Sequence, residues 1–111
     1  MDLPEEKKGE DAGPTPSEVF ISSVGACMLL YGTSYLRTAG IDPSGVSMEI
    51  DWYFSEDGKR IGGIEVKLDL GGIDPRKREK ALLAAMEKCT IHNTLHDPPD
   101  INIELVNRGE E

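Results

Sequence analysis

The stretch that decides the fold is residues 15–40, TPSEVFISSVGACMLLYGTSYLRTAG. It opens with Thr15-Pro16-Ser17-Glu18, a capping box in which threonine is the N-cap and proline the first helical residue. Gly40 is suited to end the helix at the C′ position, so the pattern predicts a helix over residues 16–39. Apolar residues run nearly all the way round this helix, and such a helix must be buried on most sides.

Beyond this helix, two segments alternate between apolar and polar residues. Val46 to Phe54 and Ile64 to Leu70 each alternate in this way, which predicts two strands with one buried face. The residues Glu56-Asp57-Gly58-Lys59 between them form a hairpin turn. Asp74-Pro75 caps a second helix that runs to about Lys88. A last short strand is expected at Ile101, Ile103 and Leu105. We therefore predict an α+β fold in the order α-β-β-α-β.

Composition limits the classes of function. The chain has 111 residues, which favours one domain, and a formal net charge of −9. This charge argues against binding to nucleic acid and to anionic membrane surfaces. The acidic start lacks the apolar core of a secretory signal, and no apolar run is long enough to span a membrane. We expect a cytoplasmic protein with a flexible acidic tail at residues 1–12 and a domain at residues 13–107.

The long helix also predicts an oligomer. Three strands offer little sheet to cover a helix that is apolar nearly all the way round, and a domain of this size buries a modest fraction of its surface. We therefore expect an obligate homodimer in which the long helix is central.

The chain has two cysteines, Cys27 in the first helix and Cys89 near the end of the second. Cys27 is either a small buried apolar residue or a reactive thiol. It lies about 16 Å along its helix from Pro16, too far for the dipole of that helix to act on it. No cation stands at the i±3 or i±4 positions. Cys89 is expected at a helix C-terminus, where the dipole opposes a thiolate, so it is a resolving cysteine or a helix-end residue.

The spacing of Cys89, His92 and His96 also fits a metal motif, with Asp97 as a possible fourth ligand. Zinc motifs usually carry two pairs of ligands, and only one pair is visible here. We therefore predict no metal and interpret the two histidines as loop residues near a cleft.

Several motifs together resemble the OsmC/Ohr family of osmotically inducible and organic hydroperoxide resistance proteins. They are Gly13-Pro14-Thr15-Pro16, Val19-Phe20, Gly25-Ala26-Cys27 and the helix ending in Cys89-x-x-His92. The resemblance implies an intertwined homodimer with its active sites at the dimer interface. It also implies a thiol-dependent peroxidase acting on organic hydroperoxides or hydrogen peroxide, with Cys27 peroxidatic and Cys89 resolving. A thiol or lipoyl-type dithiol would be the reductant, and no metal or organic cofactor would be needed.

The chain departs from the family pattern around the expected site. Ser17 stands where the family has a glutamate, Glu18 lies one position later, and no arginine precedes Arg37. Lys88 and His92 are the internal candidates for the missing positive charge. The alternative function is therefore a non-catalytic OsmC-like dimer that binds a small ligand or has a structural role.

Overall fold

The computed structural model describes residues 1, 3–10 and 12–109. Its elements are a short 3-10 turn at Glu5–Lys7, α1 at Pro16–Thr38, β1 at Ser47–Phe54, β2 at Ile61–Asp69, α2 at Glu79–Glu87 and α3 at Thr90–His96. The two strands pair antiparallel and form the one sheet of the described residues. The α+β class predicted from the sequence is confirmed.

The capping box predicted at the start of α1 is present. The Oγ1 atom of Thr15 accepts a hydrogen bond from the Glu18 backbone N–H at 3.1 Å, and Glu18 Oε1 accepts one from the Thr15 N–H at 2.8 Å. Gly40 follows the helix with a φ of 79°, a left-handed conformation that suits glycine. By length and composition alone α1 could cross a membrane, a test that the core helix of a soluble protein also passes.

The hairpin packs one face against α1. Ile50 pairs with Val66 and Trp52 pairs with Ile64, so the apolar residues of both strands share this face. Gly25 of α1 allows the close approach, because a Cβ atom at this position would overlap the Cδ1 atom of Ile50. The first helix therefore lies directly on the sheet.

A small core forms where α1 meets α2. Its buried residues are Leu36, Ile41, Leu82 and Met86. Gly32 of α1 lies under Met86, whose Cγ atom would be 3.1 Å from an added Cβ. The surrounding apolar residues of the hairpin are only half-buried. The single chain thus covers one side of its long helix and leaves other parts, such as Leu30 at 67% exposure, in contact with solvent.

The second helix ends as predicted, with Lys88 as its C-cap, but it starts later than predicted. It begins at Glu79 rather than at Asp74-Pro75, because Arg76 and Lys77 have φ values of 55° and 63°. Asp74 Oδ1 accepts the Arg76 N–H at 2.9 Å and stabilises this non-helical turn. A separate helix, α3, then starts at Thr90. The interpretation of the two histidines as loop residues is wrong, since both lie in α3.

The last predicted strand does not form in the single chain. Residues 97–109 contain no strand, and Ile101, Ile103 and Leu105 are all strongly exposed. A strand is stabilised by hydrogen bonds to a neighbour, and neither β1 nor β2 of the same chain provides one.

The N-terminal segment has local order. It contains the turn at Glu5–Lys7, and the Nζ atom of Lys7 lies 5.4 Å from the ring centroid of Phe54. Residues 2 and 11 of the predicted tail lie outside the described part of the chain. The division into a tail at residues 1–12 and a domain at residues 13–107 stays a prediction, as does the homodimer.

Candidate functional site

The fold brings the two cysteines together. Cys27 lies half-buried on α1, and Cys89 is fully buried between α2 and α3, which both pack on α1. The two thiols are close enough for each to change the pKa of the other, and both are free. The two cysteines are far apart in the sequence. They come together because α2 and α3 pack on α1.

Cys89 occupies a helix N-terminus. Its backbone is extended, with a ψ of 135°, which separates α2 from α3 and makes it the N-cap of α3. Its sulfur accepts a hydrogen bond from the His92 backbone N–H at 3.4 Å, as an N-cap side chain does. Cys89 directly follows the C-cap of α2, as expected, but it is also the N-cap of α3, which was not predicted from the sequence.

The surroundings of Cys27 favour its thiolate. Burial of the sulfur raises the pKa of Cys27, but the Cys89 thiol and the backbone N–H groups of Ile91 and Thr90 stabilise the thiolate and together lower the pKa by more, so the net pKa is below the ordinary value. These backbone donors belong to the first turn of α3. A neighbouring helix thus provides the stabilisation that α1, through its own dipole, cannot provide.

The pKa of Cys89 changes in the opposite direction. Burial raises it most, and the hydrogen bond and the charge of Cys27 raise it further, while the backbone N–H groups of His92 and Ile91 only partly offset these effects. Of the two thiols, Cys27 therefore gives up its proton first and Cys89 keeps its own. Such a difference in pKa suits a pair in which one thiolate attacks and the neighbouring thiol donates a proton.

Two of the predicted supporting residues lie away from the thiols. Ser17 and Glu18 are in the first turn of α1, about 14–15 Å along the helix from Cys27. The Glu18 carboxylate is engaged in the capping box. Ser17 lines a cavity beside Trp52 and Phe54, next to the N-terminal segment.

The other two supporting residues lie closer to the pair. Lys88 is exposed at the C-cap of α2, directly before Cys89. His92 is half-buried, and its Nδ1 atom lies 3.1 Å from the Glu87 carbonyl oxygen. Its ring stacks on that of His96 with centroids 6.3 Å apart. In the part of the chain that the structure describes, no group of three or more His, Cys, Asp or Glu side chains could hold a metal ion.

The backbone donors at Thr90 and Ile91 were missed by reasoning from the sequence. A signal for them exists, because Ile91 and Leu95 stand four residues apart, as do His92 and His96. That spacing indicates a further helix after Cys89 rather than a loop. The segment is short and follows another helix, so the pattern is easily merged with the helix before it.

A family model described as OsmC-like protein matches residues 9–104. This chain belongs to the OsmC-like family. The match covers the long helix, the hairpin and both cysteines, and it confirms the resemblance. A search of curated proteins finds no match.

Two solved structures share the fold. One, described as an osmotic stress induced and detoxification response protein from Psychrobacter arcticus 273-4, superposes with a TM-score of 0.77 at 20% identity, over 87% of this chain and 71% of that one. The other is an organic hydroperoxide resistance protein OsmC from Legionella pneumophila, also described as a predicted redox protein and regulator of sulfide bond formation. Its TM-score is 0.63 at 22% identity, over 87% of this chain and 72% of that one. At these identities the likeness establishes the OsmC-like fold.

Proposed function

We propose that this protein is a thiol-dependent peroxidase that reduces organic hydroperoxides or hydrogen peroxide, with Cys27 as the attacking thiolate and Cys89 as the resolving thiol. The observation that carries the proposal is the proximity of two free thiols, of which Cys27 has a lowered pKa and Cys89 a raised one. Membership of the OsmC-like family and the hydroperoxide-resistance description of the Legionella relative support a redox role in peroxide resistance.

In the first step, the Cys27 thiolate attacks the terminal oxygen of the hydroperoxide R–O–O–H. A sulfur–oxygen bond forms, the O–O bond breaks and an alkoxide leaves. The alkoxide takes the proton of the Cys89 thiol, which keeps that proton until then because its pKa is raised. The products are an alcohol, a Cys27 sulfenic acid and a Cys89 thiolate, so the sulfur loses two electrons and the peroxide gains them.

In the second step, the new Cys89 thiolate attacks the Cys27 sulfur. The S–S bond forms and the S–O bond breaks, and the departing hydroxide takes a proton from solvent to become water. The two thiols are close enough to change each other's pKa, so we expect only a small movement to reach a disulfide length of about 2.05 Å. A dithiol then reduces the disulfide and becomes oxidised itself, which restores both thiols.

The reductant in this proposal is a small thiol or a lipoyl-type dithiol, and the compartment is the cytoplasm. A cytoplasm keeps cysteines reduced between turnovers, as this cycle requires. The net charge of −9 supports the further proposal that neither nucleic acid nor an anionic membrane is a partner.

The test is turnover of an organic hydroperoxide with dithiothreitol or dihydrolipoamide as reductant. We expect Cys27→Ser to abolish turnover. Cys89→Ser, treated with peroxide in the absence of any reductant, should reduce one equivalent of peroxide and leave a sulfenic acid at Cys27 that a dimedone-type probe traps. As a matched control, Ser34→Cys in the Cys27→Ser background adds an exposed thiol to the same helix without the α3 donors, and it should not restore turnover.

Equal background rates in the wild type and in all three variants would contradict the peroxidase. The alternative, a non-catalytic dimer that binds a small ligand or has a structural role, would then stand. Turnover that survives Cys27→Ser but not Cys89→Ser would reverse the two roles.

A further inference from the structure

We propose that His92 is a positioning residue that holds the junction between α2 and α3 and so sets how the first turn of α3 lies against Cys27. The junction is residues 87–90, from the last residue of α2 to the first residue of α3. The inference rests on the proposed function in one respect, that Cys27 is the attacking thiolate. In this role His92 acts as a hydrogen-bond donor and supplies no positive charge.

The helical path is interrupted inside the junction. Lys88 is still in a helical conformation, but Cys89 is extended, with a ψ of 135°, and α3 begins at the next residue. An extended residue between two helices leaves the last carbonyl groups of the first helix without helical donors, and these groups need other partners. The direction of α3 relative to α2 therefore depends on what those carbonyl groups bind.

Two side chains of α3 bind the carbonyl groups at the end of α2. The Nδ1 atom of His92 lies 3.1 Å from the Glu87 carbonyl oxygen, and the Nδ2 atom of Asn93 donates to the Lys88 carbonyl oxygen at 3.4 Å. Each bond spans five residues and crosses the junction. His92 makes the shorter bond and is half-buried, whereas Asn93 is exposed. Of the two side chains, His92 therefore contributes more to holding the helices in place.

The main chain of His92 also contacts the redox pair. Its backbone N–H donates to the Cys89 sulfur at 3.4 Å. The ring of His92 thus holds the end of α2, while its main chain holds the side chain of Cys89. In the same turn, the backbone N–H groups of Thr90 and Ile91 stabilise the Cys27 thiolate. A change in the direction of α3 would move these donors relative to Cys27.

The hydrogen bond to Glu87 determines which ring nitrogen of His92 carries a hydrogen. A carbonyl oxygen only accepts, so Nδ1 must be the donor. Protonation of the neutral ring adds a hydrogen at Nε2 and keeps the one at Nδ1, so the bond is present in both charge states. An uncharged donor in the same place should therefore replace the histidine, which a role as a positive charge would not allow.

The test is the alkylation rate of Cys27 by iodoacetamide as a function of pH, followed in the peptide that contains Cys27. His92→Ala removes the donor. Its rate should fall by up to about fivefold wherever the thiol form of Cys27 dominates, the factor equivalent to one neutral hydrogen bond. The rates of variant and wild type should converge at high pH, where Cys27 is fully ionised in both.

Two further variants separate the donor from the charge. Asparagine has its Nδ2 atom the same number of bonds from Cα as the Nδ1 atom of histidine, so His92→Asn should keep the wild-type profile. His92→Lys carries a charge but no donor at this place and should resemble His92→Ala. The matched control is His96→Ala in the same helix, an exposed ring that stacks on His92 at 6.3 Å. Its rates should stay within about twofold of the wild type.

Circular dichroism spectra should be the same for the wild type and all four variants. The proposal would be overturned by a wild-type profile in His92→Ala, by a rate that lysine restores and asparagine does not, or by an equal slowing at every pH. Alkylation requires no peroxide. A missing peroxidase activity together with the expected response at position 92 would therefore contradict the proposed function alone, and an unchanged profile in His92→Ala would contradict this inference alone.

Discussion

Replacing Cys89 by alanine should slow the alkylation of Cys27 at neutral pH. The Cys89 thiol is one of the donors that lower the pKa of Cys27, and alanine removes this donor while leaving the backbone donors of Thr90 and Ile91 in place. The pKa of Cys27 should therefore rise toward its ordinary value, and less thiolate should be present below that pH.

The size of the effect follows from the strength of one hydrogen bond. Bonds to charged groups contribute about 1.5–3 kcal/mol, but a thiol is a weak donor and Cys27 is only half-buried, so about 1 kcal/mol is the suitable value here. This corresponds to about a fivefold loss of thiolate, and hence of alkylation rate, wherever the thiol form dominates. Cys89→Ser keeps a donor at this position and should stay near the wild-type rate.

The assay is the alkylation rate of Cys27 by iodoacetamide as a function of pH, followed by mass spectrometry of the peptide that contains it. In the wild type, the lowered pKa of Cys27 places the inflection below the pH expected for an ordinary cysteine, and Cys89→Ala should move it upward. Above both inflections the two rates should converge, because Cys27 is then fully ionised in each protein. Identical profiles would refute the role of the Cys89 thiol, and an equal slowing at every pH would point to changed access instead.

Three further predictions concern the scaffold, each measured by urea unfolding at a fixed protein concentration. Leu36 is fully buried in the core, so Leu36→Ala should lower the free energy of unfolding by about 2–5 kcal/mol. Leu83→Ala, at a position 57% exposed, should lower it much less. Equal losses of stability would mean that Leu36 is not in the core. Thr15→Ala should cost about 1 kcal/mol by removing the N-cap hydroxyl, and Thr15→Ser should restore most of it; a loss with serine as large as with alanine would argue against the cap. Lys77→Gly should leave the free energy of unfolding unchanged or raise it, because Lys77 has a φ of 63°, which glycine adopts without strain. Lys80→Gly inside α2 should lower the free energy of unfolding by up to about 1 kcal/mol. A larger loss for Lys77→Gly than for Lys80→Gly would contradict the left-handed turn before α2.

The local elements could be predicted from the sequence because their signals are local. The capping box at Thr15 and the stop at Gly40 define α1 through contacts within four residues, and both are present in the structure. The alternation in the two strands and the Asp57-Gly58 turn likewise define the hairpin. The resemblance added the OsmC-like family, which the family model confirms.

Other features depend on distant contacts and were decided by the tertiary structure. The break at Cys89, which places the N-terminus of α3 against Cys27, requires α1 to pack on both later helices. Local patterns do not report this packing, so Cys89 was expected at the end of the second helix, where it does follow the C-cap, but the N-terminus of α3 that begins there was missed. The last strand is the converse case. The alternation of apolar and polar residues around Ile101, Ile103 and Leu105 is clear in the sequence. A strand, however, needs hydrogen bonds to a neighbouring strand, and in the described residues no strand pairs with this segment.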